Sequence, residues 1–290
     1  MRTEQEILKL ILDVAKQDDR IRGVAMNGSR TNPNAHKDIF QDYDIVYMVT
    51  DIDYFIGHKN WIRDFGEQII MQTPEDMTLF PPELGGRFPY LMQFSDGNRI
   101  DLTLVPVEEA HTYVNEDKLT VILMDKDNKI PKVAPPTDED YWVKPPLEEF
   151  FNDCCNEFWW ISTYISKGLW RQEIIYAKKH LDENLRPMLI KMLEWQVGIQ
   201  MNFSLSLGKY GEYLERHLAK EDWNQLICTY ADGSYENTWR ALFVACDLFQ
   251  GTGAVVAEYF GYKYPYEDGR RVMEYLRHVK NLPLDAKEIY

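Results

Sequence analysis

The chain has 290 residues, of which 45% are hydrophobic and 27% are charged, a balance typical of a globular protein and not of a disordered or fibrous one. Its formal net charge of −15 would repel a polyanion, and no long run of Lys or Arg offsets it, so nucleic-acid binding is not expected. An acidic surface attracts cations instead, which favours a positively charged partner.

The first half of the chain alternates helix and strand signals. Thr3 and Glu6 have the spacing of a capping box, and the apolar residues that follow recur at the helical period, which predicts a first helix. The apolar run 21–26 predicts a buried strand that stops at an Asn-Gly-Ser turn. A second strand is predicted over 42–50, where the sequence DYDIVYMVT is rich in β-branched and aromatic residues.

Two further signals lie before residue 110. A helix is predicted over 61–67, and the strand-like sequences PYLMQF and RIDLTLV flank residues 95–98. Those four residues contain Asp-Gly, which accepts a positive φ, so the two strands are predicted to form a hairpin.

A proline-rich segment, 132–146, separates the two halves and predicts a linker, because proline cannot continue a helix. The domains are therefore expected at 1–140 and 146–290. Nearly all of the second domain has helical periodicity, with helices predicted over 147–167 (ending at a Gly168 cap), 172–200 (interrupted at Pro187), 213–228, 235–249, 255–260 and 270–279. The predicted fold class is α+β, with a C-terminal helical bundle.

The N-terminus lacks the basic start and the small-residue cleavage site of a signal peptide, and no run approaches the roughly 20 apolar residues of a membrane span. The four cysteines form no CxxC pair, so a structural zinc site is not indicated. The protein is expected in the cytoplasm, without a membrane partner, and its cysteines are expected to be reduced thiols. No exposed heptad or other dimer signal appears, so a monomer is expected.

Gly28 and Ser29 directly follow the first strand. Glycine lets the backbone approach a phosphate closely, and Ser29 donates from its hydroxyl and its amide. A Gly-Ser pair on its own is weak evidence, because it also occurs as an ordinary turn.

Asp42 and Asp44 begin the second strand, and side chains at i and i+2 point to the same face. Two adjacent carboxylates repel and raise each other's pKa, and a bound Mg²⁺ relieves that repulsion. The alternative is an exposed acidic pair that only begins a strand.

Asp101 is an acid in the middle of a strand whose neighbours Ile100 and Leu102 are built for burial. Strand interiors disfavour Asp, so a functional role is more plausible here than at the other two acids. The alternative is an Asp that pairs with Arg99 or another basic residue on an open sheet face. Together, the three carboxylates and the Gly-Ser turn predict a site for divalent cations and a triphosphate.

This order of motifs resembles the polymerase-β-like nucleotidyltransferases. Longer strings spread over both halves resemble the aminoglycoside 6-adenylyltransferases, the streptomycin-modifying enzymes: MNGSRTNPN, DIFQDYDIVYMVT, MQTPEDMTLFPPELG, DGNRIDLTLVP, DCCNEFWW and HLDENLRPMLIKML. The resemblance implies a mixed five-stranded sheet with flanking helices, a helical bundle after it, and ATP bound between the two. It also implies transfer of AMP from Mg-ATP to the 6-hydroxyl of streptomycin, which confers antibiotic resistance.

By the family pattern, Asp42 and Asp44 hold Mg²⁺. Ser29 contacts the terminal phosphates, with Gly28 and Arg30 beside it. Asp101 either completes a second metal site or acts as the general base toward the sugar hydroxyl.

The resemblance also implies roles in the helical half. Lys209 is the candidate for the triphosphate, against the alternative of a solvated helix-end lysine. Asp182 is the first candidate for substrate binding, because related enzymes use an acid on this helix, and it is a second candidate for the base.

Asp153 and Glu157 lie at i and i+4, hence on one helical face, and Trp159 follows them. Carboxylates and aromatic faces both bind guanidinium groups, which streptomycin carries. The alternatives are a solvated acidic face and a tryptophan packed in the core.

Three rival functions stay open. In the first, the chemistry is the same but the acceptor is a lincosamide, another aminoglycoside or a protein. A catalytically inactive binding module would share the fold, although the presence of all three acids argues against it. A nucleic-acid polymerase or tRNA-modifying enzyme is disfavoured by the acidic balance.

Overall fold

The structure, a computed structural model, describes residues 1–290. The chain divides into two compact units, Met1–Asp140 (unit 1) and Tyr141–Tyr290 (unit 2). The division falls inside the proline-rich segment 132–146. Unit 1 contains all six strands, whereas unit 2 is built from helices, so the α+β class is confirmed.

Unit 1 is a mixed sheet with a few short helices. Its elements are α1 Glu4–Gln17, β1 Ile21–Asn27, β2 Tyr43–Val49, α2 Ile52–Gly57, β3 Gln68–Gln72, β4 Phe88–Phe94, β5 Arg99–Pro106, α3 Ala110–Tyr113 and β6 Val121–Asp125. The strand order is β3-β4-β5-β2-β1-β6. Only β2 and β5 pair in parallel. The sheet has six strands, one more than the five expected.

The local signals at the start of the chain are confirmed. Thr3 and Glu6 form the capping box at the N-terminus of α1. Ile7, Ile11 and Ala15 on this helix are fully buried in the larger core of unit 1, together with the apolar side chains of β2, β4 and β5. A smaller apolar cluster that includes Val46 contains side chains that alternate with these along the strands. The helix predicted over 61–67 is a 3-10 helix, Lys59–Phe65.

Unit 2 packs its helices around one apolar core. Its elements are α4 Glu148–Trp170, α5 Ile174–Lys179, a π-helical segment His180–Leu185, α6 Arg186–Gln200, α7 Leu214–His217, α8 Lys220–Cys228, α9 Tyr235–Phe260 and α10 Tyr266–Asn281. Phe158 of α4 and Phe249 of α9 stack at the centre, with ring centroids 3.7 Å apart. Cys154, Cys155 and Cys246 are buried free thiols.

Two helix predictions in unit 2, the Gly168 cap and the division of 235–260 into two helices, were wrong in detail. Gly168 does not cap α4 but lies inside it, where an added Cβ would meet the Tyr176 ring at 2.7 Å. The interruption expected at Pro187 is present, because the π-helical segment His180–Leu185 lies directly before it and separates α5 from α6. The helices predicted over 235–249 and 255–260 are one helix, α9, since the glycines between them are tolerated in a buried helix.

By length and composition, α9 would suffice to cross a membrane, and 56% of its most apolar window is buried in the structure. The core helix of a globular protein has the same properties, so this feature is weak evidence for a membrane span.

Candidate active site

Strand pairing brings the acids of unit 1 together. Asp44 of β2 lies opposite Asp101 of the parallel strand β5 and opposite Asn27 of the antiparallel strand β1. Asp42 precedes Asp44 by two residues, which places both side chains on the same face. Carboxylate oxygens of Asp42, Asp44 and Asp101 lie within 4.8 Å of one another. We call these three residues the acidic triad.

The Gly28-Ser29 turn lies directly against the triad. Gly28 has a φ of +74°, and an added Cβ there would stand 1.9 Å from the Oδ2 atom of Asp44. Only a residue without a Cβ permits this approach of the backbone to the carboxylate. The structure therefore brings the turn and the three acids into one site.

The two residues after Gly28 have different environments. The Ser29 hydroxyl accepts a hydrogen bond from Gln41 Nε2 at 3.3 Å. Arg30 donates from Nε to the Asp42 carbonyl at 2.8 Å and from Nη2 to the Gln41 carbonyl at 2.7 Å. Its guanidinium carbon also lies 3.6 Å from the Tyr43 ring centroid. Arg30 thus fixes the backbone that presents Asp42, a positioning role that the sequence did not indicate.

The triad is electrostatically unfavourable without a cation. Burial, and then the neighbouring charges of Asp42 and Asp101, raise the pKa of Asp44 to about 7. The oxygen donor set matches the preference of Mg²⁺ for carboxylates with open positions for phosphates. These residues therefore fit a divalent cation.

Two polar neighbours of the triad were not singled out from the sequence. Arg99, weighed there only as an alternative partner for Asp101, donates to both oxygens of that carboxylate, at 2.8 Å and 2.7 Å. Asn27 Nδ2 donates to the Tyr113 hydroxyl at 3.1 Å, and its Oδ1 is buried without a partner. An Asn before Gly-Ser reads as turn chemistry, so the sequence carried no signal for Asn27.

Asp182, in unit 2, is held by two cations of its own helical stretch. Its carboxylate lies 2.6 Å from Arg186 Nη2 and 3.2 Å from Lys178 Nζ. Asp182 lies in the π-helical segment, a feature common at functional sites. The Asp182 side chain is 41% exposed, so a ligand has access to it only in competition with these partners.

Lys209 lies in a short 3-10 turn, Lys209–Gly211, and is exposed. Its ammonium stands 5.3 Å from the ring centroid of Tyr210. The backbone of Tyr210 is left-handed, with a φ of +59°. An exposed lysine on an irregular turn suits phosphate contact and solvation equally well.

A cavity of about 590 Å³ lies between α4 and α10. Its polar and aromatic lining comprises Asn152, Asp153, Asn156, Trp159, Trp160, Thr163, Asp268 and Arg271. Trp159 is only 3% exposed and packs edge-on against Phe249, which favours the alternative of core packing over a stacking surface. Trp160 is 57% exposed and supplies the accessible indole. Glu157 is exposed and does not line this cavity.

Comparisons with known proteins agree on one family. A family model described as streptomycin adenylyltransferase matches residues 1–279. An aminoglycoside 6-adenylyltransferase of Bacillus subtilis (strain 168) is 47% identical over 93% of this chain and 95% of its own length. One from Staphylococcus aureus is 41% identical over 91% and 94%. A crystal structure of an aminoglycoside 6-adenyltransferase from Bacillus subtilis is 40% identical, covers 97% of this chain and 100% of that one, and has a TM-score of 0.49.

Proposed function

Because this chain belongs to the streptomycin adenylyltransferase family, we propose that it transfers AMP from Mg-ATP to the 6-hydroxyl of streptomycin. The family and the named relatives make it an aminoglycoside nucleotidyltransferase. The choice of drug, hydroxyl and nucleotide is the proposal. This transfer would confer resistance, because the adenylylated drug no longer presents a free hydroxyl at that position.

One observation carries the proposal: three carboxylates from two adjacent strands converge against a glycine turn. Asp42 and Asp44 would hold Mg²⁺, and Asp101 would either share it or act as the base. When bound, Mg²⁺ supplies positive charge that neutralises the triphosphate and favours ionisation of the attacking hydroxyl. The fit of this donor set to the cation supports both metal and nucleotide as co-reactants.

The residues of unit 1 then have separate tasks. Gly28 lets the backbone lie beside the acids, and the Ser29 amide and hydroxyl donate to phosphate oxygens. Arg30 holds the peptide that carries Asp42. The substrate oxygen bonds to the α-phosphorus, the bond from that phosphorus to the β-phosphate oxygen breaks, and pyrophosphate leaves. The hydroxyl proton passes to a carboxylate, for which Asp101 and Asp182 are the two candidates.

Unit 2 would bind the acceptor, and unit 1 the nucleotide. Guanidinium groups pair with carboxylates and stack on indole faces. The α4–α10 cavity offers Asp153, Asp268 and the exposed face of Trp160 for this purpose. Asp182 would bind a cationic group of the drug in exchange for Lys178 or Arg186, and Lys209 would contact the triphosphate. The protein would act as a monomer in the cytoplasm, where ATP is available.

The acceptor is tested with Mg-ATP and a panel of aminoglycosides, a lincosamide and a protein, with pyrophosphate release as the readout. We expect release with streptomycin that depends on Mg²⁺ and disappears in Asp42→Asn and Asp44→Asn. Release with another acceptor alone would overturn the drug assignment and leave the chemistry intact. Full release by both variants would refute the metal role of the triad.

A further inference from the structure

Arg99 already makes the contacts that a cation at the triad would make. Its guanidinium donates to both oxygens of Asp101, at 2.8 Å and 2.7 Å, and its Nε lies 3.8 Å from Asp42 Oδ2. One protein cation therefore contacts two of the three carboxylates. A bidentate pair of this kind is among the stronger polar contacts in proteins.

The same side chain is free to leave. Arg99 is the first residue of β5, and its side chain is 46% exposed. Its ion pairs are all with the triad, so no other acid holds it in place. Rotation of a long, half-exposed side chain needs no change in the backbone of β5. Asp101, by contrast, is fixed by the sheet pairing with Asp44.

Arg99 and a divalent cation compete for the same oxygens. Both reduce the repulsion among the three carboxylates, and each lowers the electrostatic gain available to the other. A guanidinium released from Asp101 is suited to a phosphate oxygen, which it binds in the same bidentate geometry.

We propose that Arg99 is the resident counter-cation of the metal-free triad and moves from Asp101 to the nucleotide triphosphate when Mg-ATP binds. This inference rests on the proposed metal site. It has two consequences: bare divalent cations bind weakly, because they must displace Arg99, and the metal binds more readily together with a nucleotide, because the nucleotide provides Arg99 with a new partner.

The test uses Arg99→Gln and measures Mn²⁺ binding to the nucleotide-free protein by electron paramagnetic resonance. Arg22→Gln is the matched control, because Arg22 pairs with Asp127 on the same sheet and does not contact the triad. We expect Arg99→Gln to bind Mn²⁺ at least about tenfold more tightly than the wild type, since no charge-assisted hydrogen bonds have to be broken. Arg22→Gln should bind as the wild type does.

A second readout is the KM for Mg-ATP, which should rise in Arg99→Gln because the triphosphate loses a partner. Arg99→Lys keeps the positive charge but cannot make the bidentate contact of a guanidinium. Its Mn²⁺ affinity should therefore lie between that of the wild type and that of Arg99→Gln. It also provides the test if Arg99→Gln fails to fold.

The single variant Asp44→Asn should abolish Mn²⁺ binding, which shows that the signal comes from the triad. With that control in place, equal or weaker Mn²⁺ binding by Arg99→Gln than by the wild type would overturn the competition. If the wild type binds no Mn²⁺ with or without ATP, the proposed metal site itself fails. The two failures are therefore distinguishable.

Discussion

Gly28→Ala is the substitution whose effect follows most directly from the geometry. An alanine there has a left-handed φ of +74°, which costs a residue with a Cβ about 1–2 kcal/mol. The new Cβ also stands 1.9 Å from Asp44 Oδ2. The carboxylate must retreat by roughly 1.5 Å to reach an ordinary contact distance, and such overpacking costs about 1–3 kcal/mol more.

Gly97→Ala separates these two contributions. Gly97 has a φ of +88° in the β4–β5 hairpin, and no atom lies within 4 Å of its added Cβ. It should therefore lose only the conformational part, about 1–2 kcal/mol. We expect Gly28→Ala to lose about 2–5 kcal/mol of unfolding free energy in urea, and the difference between the variants measures the contact with Asp44.

The transfer assay gives the functional half of this prediction. A displacement of about 1 Å in a catalytic group lowers the rate by roughly 100-fold, so Gly28→Ala should lose about that factor in kcat/KM. Gly97→Ala should retain wild-type transfer at a temperature where both variants are folded. If Gly28→Ala had full activity and the same stability as Gly97→Ala, the turn would not lie against Asp44, and our description of the site would be wrong.

Three further predictions concern the packing and charges of the fold. Arg186 is buried and bonded to Asp182 and Thr229, so Asp182→Asn, which leaves the buried guanidinium without its carboxylate, should cost more in urea unfolding than Arg186→Met, which removes the buried charge. Equal losses would contradict this. The native protein should react rapidly with a thiol reagent only at Cys228, because the other three cysteines are buried, and a second fast thiol would show that the helical core is open. Arg2 holds the pKa of Asp96 well below its ordinary value of 3.8, so the stabilisation is full above about pH 4 and falls progressively below it. Asp96→Asn should therefore lower the melting temperature more at pH 7 than at pH 2, and an equal loss at both would refute the pairing.

Strand periodicity made the chemistry of the triad predictable. Asp101 stands out because Ile100 and Leu102 on either side of it are apolar, and Asp42 and Asp44 share a face because strand side chains alternate. The Gly-Ser turn ends β1 where the apolar run ends. These are local patterns, and the sequence states them directly.

Local sequence patterns do not predict which strands pair when the strands are distant in the chain. That β2 and β5 are parallel neighbours, with Asp44 opposite Asp101, follows from tertiary packing. The strands β3 and β6 are five residues each, too short and too weakly patterned to be recognised. The sequence patterns predicted four strands, and β3 and β6 bring the sheet to six.

Side-chain partners were the least predictable feature. Arg30 lies beside Gly-Ser in the sequence, yet its guanidinium turns to the carbonyls before β2. Trp159 and Trp160 are adjacent, but one lies in the core and the other at the surface, because successive helical positions are about 100° apart. Only the observed packing distinguishes them.

The most direct test of the account follows ATP labelled at the α-phosphate. With Mg²⁺ and streptomycin, the wild type should move the label onto the drug, whereas Asp44→Asn should not, and Arg22→Gln should match the wild type. Label on streptomycin in the Asp44→Asn reaction at the wild-type rate, or no label in the wild-type reaction, would contradict the claim that this triad carries adenylyl transfer.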